Sequence, residues 1–523
     1  MVSGGQRSDR RCLVVHERHG SMMMAVFTAS AIGLVIACTL VVGLRGLRIT
    51  RSTSDFFVAS RSVRPWWNAS AISGEFLAAA SFFGIAGLML DSSGEALLLV
   101  SGYTAGFLVM LIFVASSLRR SNAYTVSDFA QARFDSMRVR HITSVVVVLI
   151  CSIYIVPQLH AAALIARSVG GVPGWIGPVV VATVVAATVA AGGMRSITLA
   201  QGVQYGFKVV SLLIPLIFMI VIVLRRGTAS DSSAMHRVID EPAHSAYWSI
   251  SLLASVLLGT AGLPHVLVRL CTSRDSRTAQ RTLAIVVVLV GTFYLLPLAY
   301  GVLGRWFASD ATAGDRTDTL VLRLPGAIVG GTLGEVLTAI VAAGAFSTFL
   351  ATSSGLIVTM AGVVSQDVFG ADVRGFRRAA IAATVMTLVI ALVTSSSRLT
   401  ETVGYVFALS ASTLFPMLVL AIWSRAVTSA GVAAGMLVGG AAVVGAAIGH
   451  YALGRPAGVA GDLMAQPGGW SAPLAFVVML AVSQLQVASS HRSDAGERFL
   501  AQLHSPEYSR SRTDVSEYRY DVD

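Results

Sequence analysis

Two ionisable side chains stand where charge is expensive. Glu75 lies inside the apolar run WWNASAISGEFLAAASFFGIAGLML (66–90), and Lys208 lies inside LAQGVQYGFKVVSLLIPL as the only lysine of the chain. A charged group at mid-membrane costs about 2.5–3.5 kcal/mol on insertion scales, so it reads as functional by default. Glu75 could assist a cation on its way in or take a proton; a carboxylate that merely caps a broken helix is the plainer alternative. Lys208 could be the counter-ion of an anionic solute. Its plainer alternative is an ammonium that snorkels or pairs with a nearby carboxyl group. Gln201 and Gln204, within two turns before it, could bond across helices or line a pathway. No Walker A loop, CxxC pair or HExxH helix is present, so an enzyme has no support. Cys12, Cys38, Cys151 and Cys271 lack metal or disulfide spacing and read as free thiols that pack as small residues.

The elements that must hold these groups are membrane spans. The 523 residues are 55% hydrophobic and only 12% charged, against about 25% charge in a soluble domain. Thirteen apolar runs stand near 22–44, 66–90, 95–118, 142–167, 175–193, 200–224, 247–267, 283–304, 333–364, 379–394, 401–423, 427–450 and 471–488. Runs of roughly 20 residues suffice to cross about 30 Å of hydrocarbon. The net charge of +11 comes from arginines in short connections. Roughly two-thirds of them fall on one side, which orients the N-terminus outward and the C-terminus inward and removes nucleic acid as a partner. Residues 1–21 read as an extracellular segment, with Met22, Met23 and Met24 as a possible true start, and 489–523 as a disordered cytoplasmic tail.

Runs two and seven lose helical character at their centres. The second crowds Gly74, Glu75 and Ala78–Ser81 together, and the seventh holds Gly259-Thr260-Ala261-Gly262-Leu263-Pro264. In hydrocarbon, unwound backbone persists only where protein covers it or it lines a cavity. A matched pair of interrupted spans is the sequence pointer to the binding site of a secondary transporter. Their offset of five spans is odd, so the two five-helix units enter from opposite sides. That makes residues 66–224 and 247–423 an inverted repeat, with span 1 and the spans of 427–488 peripheral.

The segment Ser54-Asp55-Phe56-Phe57-Val58-Ala59-Ser60-Arg61-Ser62-Val63-Arg64-Pro65-Trp66-Trp67-Asn68 resembles the opening of the sodium:solute symporter family. Gly192-Gly193-Met194-Arg195-Ser196-Ile197-Thr198 is similar to the same family. The runs Ala78–Gly87 and Gly259–Arg269 resemble its cation/acetate, short-monocarboxylate branch. The resemblance covers about residues 50–430. It implies an all-α polytopic membrane protein with a leucine-transporter-like 5+5 inverted repeat, about thirteen transmembrane helices and discontinuous spans two and seven.

It also implies an ion site. A buried Na⁺ replaces its water with carbonyl and hydroxyl oxygens; in the family two carbonyls come from the break in the first core helix and the rest from the eighth. Those positions match the carbonyls of Gly74 and Leu77, with Gly344, Ser347 and Thr348 on span nine. Bonding of these hydroxyls to their own i−4 carbonyls is the alternative. Thr352-Ser353-Ser354 leaves the register open by one turn. An ammonium at Lys208 could occupy or compete for this site, which would favour H⁺ over Na⁺.

A carboxylate suits the N-terminal end of a half-helix, where free amides converge. The second half of span two starts near Ala79–Ser81 and that of span seven near Pro264, since proline suits the first helical turn. Ser81, Phe82, Thr260 and Gly262, joined by Gln204 and Lys208, are therefore the candidate substrate-binding residues. His265 orders the loop rather than shuttling protons. The expectation is a plasma-membrane symporter for an acetate-like monocarboxylate, coupled to Na⁺ or H⁺, its partners being the solute and the lipid bilayer. An amino-acid or sugar symporter, a channel and a membrane sensor are the competing readings; the sequence leaves the oligomeric state open.

Overall fold

The computed structural model describes residues 24–45, 53–168, 171–226, 245–307, 319–394, 399–486 and 494–505. These are helical throughout, with no strand among the described residues. Eleven helices are long and apolar enough to cross a membrane, and the bent pair Pro65–Phe76 and Ala80–Leu90 makes a twelfth span. The helix Ile176–Arg226 holds 51 residues and departs from helical geometry at Gly193 (φ 55°, ψ −155°). At about 1.5 Å per residue it is more than twice as long as a hydrocarbon core needs. It therefore supplies spans five and six, and the expected thirteen are accounted for.

Span two bends by 74°. The helix Pro65–Phe76 ends at Leu77, whose ψ of 84° leaves the helical region, and the chain resumes as a π-turn over Ala80–Gly84 and the helix Ile85–Asp91. The side-chain carbonyl of Gln158, on span four (Met137–Ser168), accepts the Ala79 amide at 2.8 Å and satisfies part of the broken backbone. Span seven is Ala246–Gly262 followed by Pro264–Cys271, broken only at Leu263 (ψ 119°), with Pro264 in the first helical turn as expected. Thr260 and Gly262 remain helical.

Spans nine (Gly331–Val364) and eleven (Leu399–Ser412 and Leu414–Trp423) form the interior. The most apolar window of each is 83% buried, against 17% for span one (Met24–Arg45). Phe76, at the end of the first half of span two, lies edge-on to Tyr103, Phe107 and Phe407, so the break sits against an aromatic layer.

Two expectations need correction. Arginines read as lying in short connections between spans are partly interior. Arg269 is 1% exposed, while Arg119 and Arg133 are also buried. Arg133 donates to the carbonyls of Ala421 and Ser424 (2.8 and 2.9 Å), so it satisfies the last orphan carbonyls of span eleven. The tail read as disordered contains a helix, Asp494–His504, with Leu500 and Leu503 buried. Its amphipathic spacing gave an inward stripe, which packs Phe499 on Phe129 (5.8 Å). Residues 1–23, 487–493 and 506–523, and Cys12 with them, lie outside the described residues.

Candidate ion and solute site

The carbonyls expected to face a cation are occupied by a side chain. Lys208 Nζ donates to the Gly74 carbonyl and, at 2.9 Å, to the Leu77 carbonyl. Lys208 is fully buried on span six. The unwinding after Phe76 turns these two oxygens away from helical partners, and an ammonium carries three donors to meet them.

Span nine reaches the same place through a glycine. A Cβ at Gly344 would overlap the Ser211 hydroxyl and lie 3.5 Å from the Phe82 ring. Ser211 in turn donates to the Lys208 carbonyl (2.9 Å). Gly344, Lys208 and Phe82 thus share one neighbourhood. Thr348 Oγ1 donates to the Gly344 carbonyl (2.9 Å), the local i−4 bond weighed as the alternative. Ser347 Oγ is buried with no hydrogen-bond partner among the described residues. One turn on, Thr352 Oγ1 donates to the Glu75 carbonyl (2.8 Å).

Glu75 is held in a buried ion pair. Its Oε2 accepts from Arg269 Nε at 2.9 Å, and both side chains are 1% exposed. Arg269 also donates to Thr198 Oγ1 and Gln201 Oε1, and Gln201 Nε2 donates to the Ala351 carbonyl (2.7 Å). A Cβ at Gly355 would overlap the Glu75 carboxyl group, so only glycine lets span nine approach this pair. The network ties spans two, six, seven and nine together. Arg269 was not singled out in the sequence because it follows a helix break beside other arginines. Its place two residues beyond GTAGLPHVL (259–267), the most specific element of the resemblance, was the available signal.

On the other side of the break, Ser81 Oγ and Tyr294 Oη lie 3.1 Å apart. Tyr294 stacks on Tyr103 with centroids 5.7 Å apart. Phe82 is fully buried with its ring edge-on to Phe83. Thr260 Oγ1 and both ring nitrogens of His265 are buried with no hydrogen-bond partner among the described residues. The Tyr154 ring lies 5.5 Å from the His265 ring. Gly262 is pressed against span eleven, where a Cβ would lie 2.8 Å from Ser410 Oγ. Gln204 does not join this group: its Nε2 donates to Thr39 on span one at 3.0 Å. Gln158, Tyr103, Tyr154 and Tyr294 come from helices that stay unbroken and were not singled out in the sequence.

The model of the sodium:solute symporter family matches residues 56–439, well over half of the chain. The chain belongs to the sodium:solute symporter family. It is similar to a Bacillus subtilis (strain 168) protein described as "Uncharacterized symporter YwcA", 26% identical over 473 residues that cover 85% of this chain and 91% of the relative. Among solved structures it is similar to a Na⁺-coupled sialic acid symporter in a substrate-bound outward-open state. That likeness has a TM-score of 0.70 at 14% identity and covers 88% of this chain and 98% of the other. It is also similar to Mhp1, a nucleobase-cation-symport-1 family transporter in a closed conformation with bromovinylhydantoin bound. There the TM-score is 0.51 at 15% identity, with 86% and 98% covered. The fold is the leucine-transporter-like one that the family resemblance implied, and the chain is a transporter rather than an enzyme. Family membership supports Na⁺ as the coupling ion of this symporter.

Proposed function

We propose that this symporter imports acetate or a similar short monocarboxylate across the plasma membrane by alternating access. The solute binds between the broken spans two and seven and its uptake is coupled to a cation, with the N-terminus outside and the C-terminus in the cytoplasm. Its 5+5 inverted repeat rocks as a bundle of the broken spans and their partners against the remaining helices.

The observation that carries the anionic solute is the charge balance of the core. Glu75 is paired with Arg269, and Lys208 is the one further basic side chain in this buried group, left without a carboxylate of its own. A monoanion restores neutrality where a sugar or zwitterion does not. Buried polar groups are nearly always hydrogen-bonded, so the unpartnered Thr260 hydroxyl and His265 ring suit a solute's oxygens. Ser81, Phe82 and Gly262 complete a lining of small and aromatic groups that suits two or three carbons. Glu75, fixed by Arg269, acts as a positioning residue for the backbone of the break.

Uptake of labelled acetate into proteoliposomes, with Na⁺ or H⁺ gradients imposed separately, tests this reading. Competition by propionate and pyruvate, and none by proline or glucose, is the expected pattern. Uptake that follows proline or glucose instead would replace the substrate class, and flux that never exceeds equilibrium would make the protein a channel.

A further inference from the structure

The position this fold offers to an ion between spans two and nine already holds a side chain that belongs to the chain. Gly74 and Leu77 direct their carbonyls at Lys208 Nζ, and the lysine is fully buried there. The charged groups around it are accounted for. Span two brings Glu75, whose Oε2 is bound to Arg269 of span seven. Span nine brings Gly344, Ser347 and Thr348, none of them charged, and the Thr348 hydroxyl hydrogen is spent on the Gly344 carbonyl. Span six brings Lys208 itself and Ser211, which donates to the lysine's own carbonyl.

A second cation fits badly here. Na⁺ would need the same two oxygens that the lysine's N–H groups use. Two unit charges about 4 Å apart, at an effective dielectric constant of about 20, repel strongly enough to weaken binding by about a thousandfold. We infer that Lys208 is the resident cation of this site and that Na⁺ does not bind there in the native chain. Coupling by Na⁺ then has to run through a different position. The inference rests on reading this region as the family's ion site, and not on which solute is carried.

The test uses the purified full chain in lipid nanodiscs with ²²Na⁺ alone, no solute added. The native chain is expected to show no saturable binding that the double substitution Ser347→Ala/Thr348→Val removes. Lys208→Ala, which vacates the carbonyls, is expected to gain about one Na⁺ per chain, and adding the same double substitution should abolish that gain. Lys208→Met keeps the bulk without the charge and should gain less than Lys208→Ala. Saturable ²²Na⁺ binding to the native chain that is lost in Ser347→Ala/Thr348→Val would overturn the inference. So would a folded Lys208→Ala that still takes up no Na⁺. If Lys208→Ala does not fold, the native arm decides alone. Failure of acetate uptake would defeat the monocarboxylate reading and leave this result untouched.

Discussion

Arg269 Nε and Glu75 Oε2 meet at 2.9 Å with both side chains 1% exposed, joining the end of the first half of span two to the second half of span seven. A buried pair is weak as a source of net stability, yet removing one partner strands the other charge in a low dielectric. Here the pair also pins two broken helices at their breaks. Closing and opening of the site must carry the pair along as a unit or break it.

The single substitutions Arg269→Met and Glu75→Gln are each expected to destabilise the fold by about 3–5 kcal/mol. The double substitution should recover much of that loss, because no unpaired charge remains. Thermal unfolding of the three variants in nanodiscs measures it. Additive losses would show that the two side chains act independently.

Charge movement should depend on Lys208. A Na⁺ and a monoanion moving together carry no net charge, whereas a monoanion moving past a fixed ammonium carries one. An inside-negative potential of 100 mV then opposes accumulation by about 2.3 kcal/mol, or roughly fiftyfold. Downhill acetate entry into proteoliposomes clamped with K⁺ and valinomycin should slow at inside-negative potential when neither Na⁺ nor H⁺ accompanies it. In Lys208→Ala with Na⁺ present, that dependence should disappear.

Thr260 separates solute binding from folding. Its hydroxyl is buried with no partner among the described residues, so Thr260→Val removes no protein hydrogen bond. Stability should hold or rise slightly, while the KM for the solute rises about tenfold, the equivalent of one lost hydrogen bond to a charged group. An unchanged KM would take Thr260 out of the solute's surroundings.

The helix Asp494–His504 should stabilise the face it docks on. Leu503 is fully buried where the helix Asp494–His504 docks, and Gln502 Nε2 donates to the Arg120 carbonyl at 3.1 Å. Leu503→Ala is expected to cost about 2–3 kcal/mol, as core truncations do. Faster proteolysis near residue 494 with little change in KM checks it.

The sequence alone determined the class of the protein, because hydrocarbon imposes its rules locally. Apolar length fixes the spans, and glycine, proline and small residues fix where backbone is allowed to unwind. So the breaks near Leu77 and Leu263 and the thirteen spans were legible in short windows. The amphipathic stripe of Asp494–His504 was local too, but it lay in a polar tail whose partner surface, around Phe129, is distant in sequence. What only the tertiary structure decided is which polar groups meet. Arg269 stands 194 residues from Glu75, and Lys208 stands 131 residues from Leu77. Such pairings depend on how spans two, six, seven and nine rotate and approach, and close contact at Gly344 and Gly355 sets that approach. A lone lysine in an apolar run announces a cost; only packing shows that two backbone carbonyls offset it.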